Sequence, residues 1–295
     1  MIRSALRYLF LLSLSTVLAP TTVLFGGLPM RVLWRGFGRR AYWAGLLAVS
    51  VLMIAAGGLS AGVVILSLAV LIGVYCEVED HGSSAFSAGL ISILAALGVG
   101  GIAVGGWLYQ SHTGLMKELR AAIDPMATQI AQLNPSLHVT TDSIVQGLPS
   151  GAIVMLTLTL GLAAICEPGL VSLLKLRRAN YLVRSKLTQF QAPDFVVWIL
   201  IGSAFAAFFR HGQTAVTYGA TQAMYVLATI YFFQGLAVVV QAFRAFRVSP
   251  FWQIVWYAMI VLQLFLFVSV LGLVDYWLDF RLRLARKPAE QNKEF

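Results

Sequence analysis

The stretch AYWAGLLAVSVLMIAAGGLSAGVVILSLAVLIGVYC (residues 41–76) decides the fold, because it carries no charged side chain over 36 residues. About 20 apolar residues in a helix cross the hydrocarbon core of a bilayer, where only helices and closed barrels can satisfy every backbone hydrogen bond. The run lacks the roughly ten-residue alternation of a barrel strand, so it reads as helix. It is also too long for one crossing. Gly57-Gly58 near its middle predicts a break into two short spans.

Six more uncharged runs surround it, at 8–30, 82–110, 143–166, 195–209, 212–243 and 251–274. Together they predict an all-α, polytopic helical membrane bundle of about eight transmembrane helices. Residues 1–280 form a single transmembrane domain in this reading, and 281–295 a basic polar tail. Composition agrees: 59% of residues are hydrophobic and 11% charged, far below the roughly 25% charged residues of a soluble domain. The net charge of +9 would point to nucleic acid in a soluble protein. Here Arg and Lys gather at the ends of apolar runs, where they anchor helices against headgroups, and no nucleic-acid partner is expected. Cys76 and Cys166 lie at or within apolar runs and read as small hydrophobes, not as a disulfide. Arg3 and Arg7 before an apolar stretch imitate a signal peptide. Pro20 interrupts that stretch and no small-residue cleavage site follows, which predicts a retained first helix. The expected location is the bacterial inner membrane.

Two segments break the pattern. Within 111–147, Leu115, Leu119, Ile123, Met126, Ile130 and Leu133 recur at intervals of three and four, marking an amphipathic surface helix with a kink at Pro125. After Glu167-Pro168-Gly169, the residues to 187 carry Lys175, Arg177, Arg178, Arg184 and Lys186. Proline disfavours helix at the residue before it, so the preceding span should end here and a basic interfacial helix (168–187) begin. Arg31, Arg35, Arg39 and Arg40 read as a basic loop, and Glu77, Glu79, Asp80 and His81 as a solvated acidic turn with a weak resemblance to a metal site. The positive charges at 175–186 argue for a cytoplasmic face, but three crossings later the tail is basic as well. Either the tail therefore lies outside, or one of the last three segments is re-entrant, 195–209 being the shortest of them.

Polar groups deep in apolar runs are costly unless partnered, so they supply the candidate site residues. Gln234 sits within the run at 212–243, with Gly235 beside it to admit a close neighbour and Gln222 about three turns earlier. Asp275 and Asp279 stand one helical turn apart, with Arg281 and Arg283 next in line and Tyr276 and Trp277 as an interfacial aromatic belt. Each of these has an ordinary reading as helix glue or anchor beside its reading as a ligand contact. Glu167 reads as the N-terminal cap of the basic helix, or as a carboxylate handling a proton or cation. GxxxG spacings at Gly58/Gly62 and Gly101/Gly105 predict close helix packing. Gly58-Leu59-Ser60-Ala61-Gly62 matches a nucleophile-elbow pattern, which requires a strand–turn–helix and has no meaning in a membrane span. No phosphate loop, dinucleotide fingerprint or HExxH metal motif occurs, and no cofactor is implied.

Three segments carry a resemblance: FQAPDFVVW at 190–198, YFFQGLA at 231–237 and LGLVDYWLDFR at 271–281, with Glu167-Pro168-Gly169 adding to it more weakly. In this order and spacing they resemble the YybS-like family of bacterial multipass membrane proteins. That family looks distantly related to the substrate-binding components of energy-coupling vitamin transporters and to the cell-shape protein MreD. Such transporter components show Ala-x-x-x-Ala on the first helix, where the coupling subunit docks. Here that spacing occurs later, at Ala44 and Ala48. Two functions follow: a non-enzymatic, transporter-like subunit that binds a small molecule or lipid, or a structural scaffold that recruits other membrane proteins through the basic helix. The binding subunit is favoured, because a scaffold does not require polar groups inside the bundle. An enzyme is not expected, since no nucleophile, metal cluster or acid–base pair converges in the sequence.

Overall fold

The computed structural model describes residues 2–111, 115–133, 140–173, 190–209, 215–246 and 263–280, with 248–249, 252, 256, 259–260 and 283 besides. Among these the secondary structure is all helix. The helices are α1 (Ile2–Thr21), α2 (Val23–Phe37), α3 (Arg39–Ala55), α4 (Leu59–Asp80), α5 (Ala85–Ser111), α6 (Leu115–Leu133), α7 (Thr141–Leu173), α8 (Asp194–Phe209), α9 (Ala215–Ala245) and α10 (Phe265–Leu278). Four of them contain stretches long and apolar enough to cross a membrane: α4, α5, α7 from Thr141 to Glu167, and α9 from Ala215 to Phe243. Three shorter apolar helices accompany them, in α1, α8 and α10.

The breaks follow backbone chemistry. The long run at 41–76 divides at Gly57, whose φ of +87° a side chain would resist. The first run divides at Thr22; Pro20 lies in the last turn of α1 and Pro29 inside α2. Two expectations are corrected here. Arg31 and Arg35 do not lie in a loop, because α2 continues to Phe37 and Gly38 (φ +87°) makes the turn instead. Nor does the fourth long span stop before Pro168, since α7 continues to Leu173. The rest of the expected basic helix, 174–187, lies outside the described residues. The amphipathic α6 does form, with Pro125 inside it. It is tied to the start of α7 by a Thr141 hydroxyl that donates to Asp124 at 2.6 Å and by an Arg120–Asp142 pair at 2.8 Å.

The packing falls into neighbourhoods joined by α7. On one side α1 to α5 share a core that includes Leu11, Met30, Tyr42, Ile65 and Ile72, to which α7 adds Leu160 and Ala163. Interhelix hydrogen bonds pin its geometry: the Tyr8 hydroxyl donates to the Ala41 carbonyl at 2.8 Å and the Tyr42 hydroxyl to the Ala69 carbonyl at 2.7 Å. On the other side α8 and α10 pack on α9 through clusters around Val196, Val197 and Tyr231 and around Phe232, Leu236 and Val268. Helices α7 and α9 run parallel in constant register. Tyr218 donates to the Gln146 carbonyl, Ser150 to Gln222 Oε1, and the Phe233 ring lies where a side chain on Gly161 would be.

Glycine marks the closest helix contact in this second neighbourhood. A Cβ at Gly235 would strike the Val268 carbonyl, and one at Gly272 the Tyr231 carbonyl, so α9 and α10 meet backbone to backbone. Gly62 likewise lies against Ile54, as its GxxxG spacing predicts. The other predicted pair differs: among the described residues nothing lies within 4 Å of a Cβ at Gly101 or Gly105.

Candidate functional site

The first site residues come from helix phase. Arg31 and Arg35 stand four apart on α2 and so share a face, which points at the end of α4 and the late part of α7. Arg31 Nη2 donates to Glu79 Oε2 at 3.0 Å, and its Nε donates to Glu167 Oε2. Arg35 reaches the same Glu79 oxygen at 2.8 Å, Asp80 at 2.7 Å and Glu167 Oε1 at 3.5 Å. The Trp34 indole N–H donates to Asp80 Oδ2 at 3.3 Å. Arg31 is 2% exposed, Glu79 5% and Glu167 6%, so this cluster is an interior feature. Burying charges costs several kcal/mol each unless they are paired and hydrogen-bonded. Here two guanidinium groups face two buried carboxylates, with Asp80 at the partly exposed rim.

This arrangement corrects two further readings. Glu79 is not part of a solvated turn, because it is the shared acceptor for both arginines. Glu167 does not cap a new helix: it lies inside α7 and joins that helix to α2. The other residues of the acidic turn stay near the surface, where Glu77 pairs with Arg39 at 2.5 Å. Among the described residues, no group of three or more His, Cys, Asp or Glu gathers as metal ligands. Cys76 and Cys166 are free thiols.

Tyr75 links the cluster to an apolar cleft. The Arg31 guanidinium lies 5.0 Å from the centre of the Tyr75 ring, a cation–π contact, and the same tyrosine forms part of the cleft wall. The cleft, of about 210 Å³, lies between α4, α5, α7 and α9. Phe86, Leu90 and Leu94 line it from α5, Ile153 and Leu160 from α7, and Ile230 and Phe233 from α9. Phe233 forms its back wall because the ring rests on the bare backbone of Gly161.

The polar residues singled out from the sequence lie elsewhere. Gln234 is fully buried, and its Oε1 accepts a 3.1 Å hydrogen bond from the Ala192 N–H. Residues 190–193 are not helical, and Ala192 is buried. Non-helical backbone at membrane depth is tolerated only when its donors and acceptors are satisfied within the protein. Gln234 therefore supplies an acceptor that helical backbone would otherwise have provided. Gly235, one residue on, serves the contact with α10. Asp275 is buried at 1% exposure, whereas Asp279 is exposed. They do not share a helix face, because α10 ends at Leu278 and Asp279 turns left-handed (φ 47°, ψ 47°) with its N–H on the Asp275 carbonyl. Arg281 lies outside the described residues. The structure thus brings Glu167 into a polar cluster and distributes Gln234, Gly235 and Asp275 around the α8–α9–α10 junction. Arg31, Arg35 and Glu79 were not singled out from the sequence. Their signal was available as two arginines in helical phase just after one uncharged run, with carboxylates just after two others.

The family model for predicted membrane protein (DUF2232) matches residues 5–276, and the chain belongs to that family. No curated protein and no solved structure matches it.

Proposed function

We propose that this membrane protein is a non-enzymatic binding subunit that holds a small lipophilic molecule or lipid within its helix bundle. The observation that carries the reading is the apolar cleft between α4, α5, α7 and α9. Ligand sites in helical bundles form between helices and are mostly apolar, and this one stands beside a buried ionic cluster that ties two of the surrounding helices, α4 and α7, to α2. The charged side chains at the cluster are engaged with one another, which supports a structural task for them and not acid–base chemistry. The resemblance of the segments at 190–198, 231–237 and 271–281 to the YybS-like family, which looks distantly related to transporter substrate-binding components, favours the same class.

The test is gentle purification in native lipid, followed by mass spectrometry of everything that co-purifies. A bound molecule in stoichiometric amount, lost from Gly89→Phe, is the expected result. A Cβ at Gly89 makes only an ordinary 3.7 Å contact with Leu160, so the added ring is accommodated at the backbone and enters the cleft. A stoichiometric protein partner with no bound molecule would overturn the reading in favour of a scaffold.

A further inference from the structure

We infer that the cleft takes one hydrocarbon chain of a bilayer lipid, drawn from the leaflet level with the Arg31–Glu79–Glu167 cluster. The inference rests on the binding reading above and names its ligand class.

Depth is the first argument. The cleft begins at Tyr75, near the cluster end of α4, and at Ala85, the first residue of α5. It reaches Leu97, twelve residues further along α5, or about 18 Å of helix. One leaflet of a typical hydrocarbon core is about 15 Å thick. The cleft is therefore one leaflet deep, and its upper end lies at the headgroup level of the cluster side.

The medium at its mouth is the second argument. Leu90 and Leu94 line the cleft and are 51% and 61% exposed, on a helix apolar enough to span the membrane. Such an edge opens onto lipid chains. The wall is almost wholly apolar: its Thr157 hydroxyl already donates to the Ile153 carbonyl at 2.6 Å, and the face of the Tyr75 ring is covered by Arg31. A polar small molecule would find few partners among the described residues there and would lose hydrogen bonds to water.

Size is the third argument. Pockets for drug-sized ligands measure about 300–1,000 Å³. At about 210 Å³ this cleft lies below that range, which counts against a bulky, drug-sized ligand.

The experiment uses the full chain in phosphatidylcholine vesicles containing a phosphatidylcholine analogue with a photoactivatable diazirine on one acyl chain, either near the ester or at the methyl end. After irradiation, labelled peptides are mapped. The near-ester probe should label the Phe86–Gly89 end of the cleft, and the methyl-end probe the level of Leu94 and Ile153. Gly89→Phe should lower cleft labelling several-fold. Gly98→Phe, where an added Cβ meets nothing within 4 Å among the described residues, should leave it unchanged. The wild-type depth order needs no variant, so it tests the inference even where Gly89→Phe fails to fold. Labelling spread evenly over lipid-facing residues such as Ile102, or the reverse depth order, overturns it. If cleft labelling is absent while a non-lipid molecule co-purifies and is lost from Gly89→Phe, the chain assignment falls and the binding reading stands. If neither label nor molecule is found, both fall.

Discussion

At the residue scale, the chain's polar interior is governed by pairing. Arg31 contacts Glu79, Glu167 and the Tyr75 ring at once, so removing it leaves two buried carboxylates short of a partner. Arg31→Met should therefore lower stability by about 3–5 kcal/mol, the range for breaking a buried ion pair from one side. Arg39→Ala removes only a pair whose arginine is 65% exposed and should change stability by about 0–1 kcal/mol. Thermal unfolding of both variants in the same lipid or detergent checks the contrast; equal shifts would mean that the cluster is not the interior anchor described. Gln234→Leu should still insert, but it leaves the buried Ala192 N–H without its acceptor, at a cost of about 1–3 kcal/mol. Hydrogen exchange at Ala192 is the direct readout, and unchanged protection there would refute the role.

At the element scale, glycine positions separate contacts that the pattern of spacing alone does not. The α9–α10 contact at Gly235 and Gly272 has no GxxxG partner on the same helix, yet an added Cβ at either meets a backbone carbonyl. Gly272→Ala should destabilise by at least the roughly 1–3 kcal/mol of an overpacked core and separate the two helices. Gly101→Ala on α5 meets nothing within 4 Å among the described residues, and helix propensity predicts a gain of about 0.5–1 kcal/mol. Denaturation of the two variants under identical conditions decides this, and a loss at Gly101 would indicate that a further helix packs there. The continuation of α7 through Pro168 makes the same point in another way. The local preference against helix before a proline yields where the helix places Glu167 against Arg31.

At the scale of the whole molecule, α7 sets the distance between two faces. Its start holds α6 through Asp124 and Arg120, and Glu167 joins the cluster near the end of α4. The 27 residues from Thr141 to Glu167 span roughly 39 Å, more than the hydrocarbon core. Gln132 on α6 and His81 after α4, both exposed, should therefore lie on opposite sides. With Cys76 and Cys166 replaced by Ala, Gln132→Cys and His81→Cys should react with an impermeant thiol reagent from opposite faces of the membrane. Reaction of both from one side would refute this topology. The all-helical class was legible from uncharged run length alone, because hydrocarbon leaves the backbone no other local solution. The break at Gly57-Gly58, the amphipathic α6 and the depth of Gln234 were legible for similar reasons of short-range chemistry. The partners were not. Arg31 reads as a loop residue until α2 is seen to continue past it, and Glu79 and Glu167 lie 48 and 136 residues from it in the chain. Charge pairing, backbone contact at Gly235 and Gly272, and the cleft behind Tyr75 depend on which helices become neighbours. Run length and periodicity specify a helix and its apolar face, but only tertiary packing chooses what that face meets.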